Sequence, residues 1–148
     1  MRFQRILLVH AAATLFMTGV IWFVQVVHYP LFSELGAGLV AYEVRNMRLT
    51  TWLVAGPMLV ELLTGLVIAA RPPRETPSFL AWSGLALLGI IWASTALLQA
   101  PQHARLATVF EPEALRLLVA TNWLRTVAWT ARAALVLHML DRSARPTA

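Results

Sequence analysis

Residues 6–28 read ILLVHAAATLFMTGVIWFVQVVH, an almost unbroken apolar run as long as a bilayer-crossing helix. Such a helix needs roughly 20 mostly apolar residues. Three further stretches have this character, at 49–70, 78–100 and 118–140, and the last is the least apolar. The sequence therefore predicts an all-α fold, a bundle of four transmembrane helices that forms a single domain over residues 1–148.

The overall composition agrees with a membrane location. The 148 residues are 59% hydrophobic and 13% charged, whereas soluble domains are about half apolar and about a quarter charged. A soluble fold of this length cannot bury so much apolar surface. The absence of cysteine excludes disulfides, zinc fingers and thiol chemistry. All 12 basic residues are arginines and they are dispersed, which argues against a nucleic-acid partner.

The segments between the spans carry turn and helix-start signals. Prolines at Pro30 and Pro101 are expected to end the first and third spans. A polar hairpin over 71–77 joins the second span to the third, and Glu111-Pro112-Glu113 is typical of a helix start. The stretch 36–48, GAGLVAYEVRNMR, predicts a short interfacial helix on the outer side of the membrane.

An even number of spans places both termini and the 71–77 hairpin on the same side of the membrane. That side carries the arginines at 2, 5, 71, 74, 142 and 145, and the opposite side carries those at 45, 48, 105 and 116. Because positive charge favours the cytoplasm, cytoplasmic termini are expected. The first apolar run is too long for a signal peptide and no cleavage pattern follows it, so a retained helix is expected.

Each predicted span carries one polar stripe, because residues three, four and seven apart share a helix face. In the first span the stripe comprises His10, Thr14, Met17, Ile21, Gln25 and His28. The other stripes comprise Thr50, Val54, Pro57, Glu61, Thr64 and Ile68; Trp92, Thr95, Gln99 and His103; and Asn122, Arg125, Trp129 and Arg132. Four inward stripes predict a polar bundle interior.

Charged residues within spans are costly and usually face a partner. Glu61 and Arg132 lie at similar depths of parallel spans and are predicted to pair, with Arg125 further out. The pair is equally compatible with a purely structural role in fixing helix register. The predicted substrate-binding residues are Gln25, Glu43, Glu61, Trp92, Gln99, Asn122, Trp129 and Arg132.

Histidines supply the candidate catalytic groups. His28 and His103 lie at the outer ends of two spans, where either is a candidate general base, and Arg125 is a candidate for stabilising the resulting anion. A set of His28, Glu43 and His103 would suit iron, zinc or copper, and the two histidines would suit a haem. A plain hydrogen-bonding role is the commoner fate of a single histidine, and it is the expectation for His10 and His138. The cofactor therefore stays open: none, a metal or a haem.

Three short segments carry a family resemblance: VVHYPLF at 26–32, QAPQH at 99–103 and NWLRT at 122–126. With Gly56-Pro57-Met58 and Glu61, they make the chain resemble the anthrone-oxygenase-like family of small four-helix bacterial membrane proteins. The resemblance implies a multi-pass inner-membrane protein and roles for His28, Pro101, Asn122 and Arg125. It also implies oxygenation of an aromatic compound without a dedicated metal or flavin. The family tends to read Asn-x-Pro-x-Asn where this chain has Gln99-x-Pro101-x-His103, so anthrone itself is not carried over as the substrate.

Four functions follow as alternatives. The first is oxidation of a lipophilic aromatic or quinone-like molecule in a polar cavity in the outer half of the bundle. The second is non-enzymatic binding or transport of a small ligand or ion, the third a His-ligated haem or metal protein, and the fourth an assembly subunit. The expected partners are the lipid bilayer and a lipophilic small molecule, and a homodimer is left open.

Overall fold

The computed structural model describes residues 2–72 and 76–144, and every regular element in these ranges is helical. The elements are α1 (Arg2–Phe23), a first π-helical segment (Val24–His28), α2 (Tyr29–Leu35), a 3-10 turn (Gly36–Gly38), α3 (Leu39–Ala70), α4 (Ser78–Ser94), a second π-helical segment (Thr95–Gln99), α5 (Ala100–Leu106) and α6 (Pro112–Ala144). The all-α prediction is confirmed. Only α1, α3 and α6 are long helices, of 22, 32 and 33 residues.

The first predicted span does not end at Pro30, which corrects the expectation from sequence. A proline removes one backbone donor, and its ring clashes with the preceding turn of a regular α-helix. The chain widens that turn instead: the Tyr29 N–H donates to the Val24 carbonyl, five residues back. Because of this π turn the helical path continues through Pro30 to Leu35.

The third predicted span continues past Pro101 by the same device. The Ala100 N–H donates to the Thr95 carbonyl, again five residues back, and α5 then runs to Leu106. Both π-helical segments end two residues before a proline, at His28 and at Gln99. Pi turns of this kind are frequent at functional sites.

The predicted interfacial helix over 36–48 is not a separate element. After the turn at Gly36–Gly38, α3 begins at Leu39 and continues without a break through Pro57 to Ala70. No proline or glycine stands between Leu39 and Ala55, so nothing in the sequence interrupts the helix there. The outer residues and the second predicted span are therefore one helix.

The sequence also predicted a hairpin over 71–77, between the second and third spans, and a helix start at Glu111-Pro112-Glu113. Residues 73–75 of the predicted polar hairpin, and Arg145 beyond α6, lie outside the described residues. α6 begins at Pro112, where the Glu111-Pro112-Glu113 signal predicted a start, and this is six residues before the predicted span. Proline suits the first turn of a helix, because its missing N–H has no intrahelical partner there.

The helices pack side by side around three buried apolar clusters. α1 lies against α3 and α6, and α4 lies against α6 and α3. At the α2–α5 end, Tyr29, Phe32, Leu39, Leu106 and Leu118 form one buried cluster. A middle cluster contains Met17, Ile21, Met58, Ile91 and Trp129, and a third at the opposite end contains Leu7, Ile68, Ala81, Val136 and Met139.

The outer surface of this bundle is strongly apolar. Trp52, Leu97 and Phe79 are 80%, 74% and 65% exposed, and large apolar side chains are exposed on every long helix. Surfaces of this kind belong to proteins that face lipid or a partner. Two helical stretches, Phe3–Ala70 and Ser78–Leu106, are long and apolar enough to cross a membrane by length and composition. The first folds back on itself, because α1 and α3 pack together.

Gly36 makes that reversal. Its φ of 49° and ψ of −128° lie in a region that side chains with a Cβ rarely adopt, whereas Gly38 has an ordinary φ of −67°. A Cβ would meet nothing within 4 Å at either position, so only backbone conformation distinguishes them.

Gly36→Ala should lower the free energy of unfolding by roughly 1–3 kcal/mol, the cost of holding a non-glycine residue in such a conformation. Gly38→Ala should leave it unchanged or raise it slightly, since alanine restricts the unfolded chain. Thermal and denaturant unfolding of the two variants in the same detergent measures the difference. Equal effects from the two substitutions would contradict a strained reversal at Gly36.

Candidate functional site

A buried acid and a histidine form the first part of the site. Glu43 on α3 is 0% exposed, and its Oε1 contacts Nδ1 of His103 on α5. Its other oxygen accepts a hydrogen bond of 3.1 Å from Asn46 Nδ2. Because Nδ1 carries the hydrogen that faces the carboxylate, Nε2 of His103 is the nitrogen free to accept a proton.

Tyr29 links this pair to an arginine. The tyrosine is 3% exposed, and its hydroxyl lies 3.2 Å from His103 Nε2 and 3.5 Å from Nη2 of Arg125. Nε2 is therefore placed to accept the hydroxyl hydrogen, and Arg125 to donate to the same oxygen. Glu43, His103, Tyr29 and Arg125 thus form one hydrogen-bonded chain, which we call the Tyr29 network. Negative charge on the tyrosine oxygen is stabilised by Arg125.

Neutral side chains hold Arg125 in place. Its Nε donates 2.8 Å to Asn122 Oδ1, its Nη2 contacts the same oxygen, and its Nη1 donates 3.3 Å to Thr95 Oγ1. Asn122 in turn donates 2.7 Å to Gln25 Oε1. Within residues 2–72 and 76–144, no carboxylate forms a salt bridge with Arg125. Its positive charge therefore remains to act on Tyr29 or on an anionic ligand.

His28 reaches the same acid by another route. Its Nε2 lies 3.1 Å from Asn46 Oδ1, which also accepts a 3.0 Å hydrogen bond from Thr50. Asn46 then donates to Glu43. His28 also packs edge-on against Phe32, with ring centroids 4.8 Å apart. Glu43 therefore connects to both histidines, to His103 directly and to His28 through Asn46.

The Tyr29 network borders a cavity of about 200 Å³ between α1, α3, α5 and α6. Its polar lining comprises His28, Tyr29, Asn46, Thr50, Thr51, Thr95, Gln99, His103 and Arg125, and its apolar lining includes Met17, Ile21, Val54, Met58 and Trp129. A cavity on the order of 150 Å³ accommodates benzene. The cavity therefore has room for one substituted ring, with polar groups at one side and apolar walls at the other.

A second group of buried polar side chains lies behind Trp129; we call it the Arg132 network. Arg132 Nη2 lies 3.1 Å from Glu61 Oε1, which confirms the predicted pair. Trp129 Nε1 donates 3.0 Å to the other Glu61 oxygen. On its far side, Arg132 contacts the Gly84 carbonyl, and its Nη2 lies 3.4 Å from His10 Nε2.

The structure brings most predicted site residues to one place. His28, Gln99, His103, Arg125 and Trp129 line the cavity. Glu43 and Asn122 lie one hydrogen bond behind it, and Gln25 lies two hydrogen bonds behind it, through Asn122. Glu61 and Arg132, which were predicted to bind substrate, do not line it, because Trp129 stands between them and the cavity. His10 is hydrogen-bonded to Thr64 at 2.7 Å, as a structural histidine would be.

Trp92, which was predicted to bind substrate, is not among the residues that line the cavity. The predicted stripe counted Trp92, Thr95 and Gln99 at three- and four-residue intervals. Trp92 precedes the π-helical segment Thr95–Gln99, whose added residue means that α-helical spacing no longer places Trp92 and Gln99 on one face. Ile91 takes the inward position with 0% exposure, and Trp92 is 37% exposed.

The predicted metal set does not assemble. In the described part of the chain, no group of three or more His, Asp or Glu side chains is placed to hold a metal ion. Both oxygens of Glu43 are taken by His103 and Asn46, and His28 bonds Asn46. A space of about 200 Å³ is sized for one ring rather than a porphyrin, so the lining does not fit a haem either.

Tyr29 is the main site residue that sequence reasoning missed. It follows Gln25 by four residues and precedes Phe32 by three, which is the spacing of one helix face. Ending the first span at Pro30 removed it from the stripe. Asn46, which hydrogen-bonds Glu43, was not assigned to the site either. Both would have been found by extending the helical pattern through Pro30 and from 36–48 into the second span.

Comparison with known proteins found no matching family model, no matching curated protein and no matching solved structure. The resemblance to the anthrone-oxygenase-like family stays a prediction.

Breaking the Glu61–Arg132 pair should strongly destabilise the fold. Glu61→Gln leaves the 2%-exposed Arg132 without its counter-charge, and we expect a loss of roughly 3–5 kcal/mol in the free energy of unfolding. Glu113→Gln is the control: it removes a pair with Arg116 of 2.7 Å whose side chains are 77% and 61% exposed, and should cost at most about 1 kcal/mol. Denaturant unfolding in detergent compares them, and similar losses would rule out a dominant role for the buried pair.

Proposed function

We propose that the chain is a multi-pass protein of a bacterial inner membrane, a four-helix bundle whose segments 6–28, 49–70, 78–100 and 118–140 cross the bilayer with cytoplasmic termini. The side-chain distribution along α6 supports the fourth crossing. Asn122, Arg125 and Arg132 face the interior, whereas Val127 and Leu137 are 63% and 49% exposed. Arg125 and Arg132 lower the hydropathy of the middle of α6, although their side chains bond to groups inside the bundle.

This topology predicts the labelling of introduced cysteines, and the chain has none of its own. Ala37→Cys lies in the turn after α2 and Ala104→Cys lies on α5. Both cysteines should react with a membrane-impermeant maleimide on intact spheroplasts. Arg71→Cys should react only after permeabilisation. All three positions are exposed. Labelling of Arg71→Cys on intact spheroplasts at the rate of the other two would contradict the proposed topology.

The proposed activity is the oxidation of a lipophilic hydroxylated or quinone-like ring in the cavity. The observation that carries it is the Tyr29 network, in which a carboxylate, a histidine, a tyrosine and an arginine are joined at the cavity wall. The arrangement resembles other acid–histidine–hydroxyl chains, in which the acid orients the imidazole and stabilises its charged form. The cavity's single-ring volume favours a hydroquinone or phenol over a three-ring anthrone.

The residues of the chain act on the proton of the substrate. Tyr29 lines the cavity and its hydroxyl lies 3.2 Å from His103 Nε2, so a proton from a ring hydroxyl passes to the Tyr29 oxygen as the Tyr29 proton passes to Nε2. Glu43 stabilises the imidazolium that results, and Arg125 stabilises the ring anion. Trp129 forms an apolar wall for the ring and helps exclude water.

Dioxygen is the proposed electron acceptor. For a hydroquinone, two O–H bonds break, the ring loses two electrons and two protons to become the quinone, and dioxygen becomes hydrogen peroxide. Deprotonation is the step that the protein accelerates, since the anion gives up electrons far more readily than the neutral ring. The protein needs only to bind the ring, remove its proton and stabilise the anion.

The test is oxygen uptake by the detergent-purified protein with 2,3-dimethoxy-5-methyl-1,4-hydroquinone, after subtraction of the protein-free rate. His103→Gln and Tyr29→Phe should each lower the rate by roughly 10²–10⁴-fold, the usual contribution of a positioned acid or base. His138→Gln, at an exposed position on α6, is the matched control and should retain the rate.

Equilibrium dialysis of the same hydroquinone and its quinone separates catalysis from binding. Binding with no oxygen uptake above background would support a non-enzymatic ligand-binding protein instead. Absence of both binding and uptake would contradict any role for the cavity in recognising a ring of this class. Unchanged turnover in His103→Gln would remove that residue from the mechanism.

A further inference from the structure

A second depression opens beside the cavity, on the outer face of the bundle between α1 and α3. It is an open groove of about 490 Å³, more than twice the volume of the cavity. Leu15, Phe16, Phe23 and Leu53 line it, together with Gly19, whose missing side chain leaves its floor open. The groove thus presents almost only hydrocarbon, on a face that the proposed topology turns toward lipid.

The groove and the cavity adjoin each other at one junction. Val20, Val24, His28 and Thr50 line both of them. The two polar residues at this junction direct hydrogen-bonding atoms at Asn46, with His28 Nε2 at 3.1 Å and Thr50 Oγ1 at 3.0 Å from its Oδ1. Both groups are therefore hydrogen-bonded already, so a hydrocarbon chain that lay against them would leave neither without a partner.

We infer that the ligand is one molecule with two parts, a hydroxylated ring that occupies the cavity and an alkyl or isoprenoid tail that leaves through the junction and lies in the groove. This inference rests on the proposed function and names its substrate class, a tailed phenol or hydroquinone that is dissolved in the membrane. The ring enters sideways from the lipid between α1 and α3. The tail remains on the lipid side throughout.

Chemical complementarity carries this assignment. The cavity offers donors and acceptors around a single-ring volume, and the groove offers none beyond the junction. A polar small molecule would fill only the cavity and leave the apolar groove empty. A simple hydrocarbon would form no hydrogen bond with the Tyr29 network. A ring with a tail satisfies both surfaces at once.

Gly19 and Gly89 provide a matched pair of variants. A Cβ at either position meets nothing within 4 Å, and both residues are exposed on the surface of their helices. Gly19 lies in the groove, whereas Gly89 on α4 lines neither the groove nor the cavity. Leucine at Gly19 fills the path of the tail, and leucine at Gly89 adds the same side chain elsewhere on the surface.

The experiment measures binding of two quinones to the full-length protein in one detergent. One is 2,3-dimethoxy-5-methyl-1,4-benzoquinone, and the other has the same ring with a decyl tail. Gly19→Leu should weaken binding of the tailed quinone by about tenfold or more, the effect of losing contact with roughly two methylenes. It should leave binding of the tail-less quinone unchanged, and Gly89→Leu should leave both unchanged. Because micelle partitioning is the same for every variant, it cancels in this comparison.

Each other outcome overturns the inference in a distinguishable way. If both quinones bind the original protein and Gly19→Leu weakens neither, the tail does not lie in the groove, and the proposed function stands without it. Equal weakening of both quinones would place the effect on the ring site, which also overturns the assignment of the tail. If neither quinone binds the original protein, the proposed ring site fails and the inference fails with it.

Discussion

Two acids enclosed in an apolar-surfaced bundle, Glu43 and Glu61, impose the main constraint on this structure. Both are 0% exposed, and an ionised carboxylate is tolerated in such a position only if it is paired and hydrogen-bonded. Glu61 is satisfied by Arg132 and Trp129, and Glu43 by His103 and Asn46. Each acid therefore determines which helices must meet: α3 with α6 at one depth, and α3 with α5 at another.

The Arg132 network and the Tyr29 network differ in whether their arginine has an acidic partner. In the Arg132 network, arginine and acid neutralise each other behind Trp129, an arrangement suited to holding helices in register. In the Tyr29 network the acid is used by a histidine, and Arg125 has only neutral partners and a tyrosine hydroxyl. The Arg132 network does not reach the cavity, whereas residues of the Tyr29 network line it. The bundle therefore keeps the charge pair, which holds the helices, apart from the groups that can act on a ligand.

The π-helical segments make the second arrangement possible. Each precedes a proline, and each allows a helix to continue where a regular turn would stop. Tyr29 and His103 lie just beyond these segments, on α2 and α5, and would not face each other if the helices ended at Pro30 and Pro101. The same turns border the cavity with His28, Thr95 and Gln99. The π-helical segments and the candidate catalytic residues lie together in this protein, because the turn before each proline changes which side chains face the cavity.

The amino-acid sequence by itself determined the all-α fold, the apolar exterior, and the inward faces that bring Glu61 to Arg132 and group His28, His103, Arg125 and Asn122. Helical periodicity and the cost of buried charge suffice for these, since both act within single segments. Only the tertiary structure decided that Tyr29 joins His103 to Arg125 and that Trp92 faces outward. These features depend on how a π turn shifts side-chain direction at a proline and on which side chains meet across helices. Neither effect can be derived from spacing along one segment, because an added residue in a turn rotates everything that follows it.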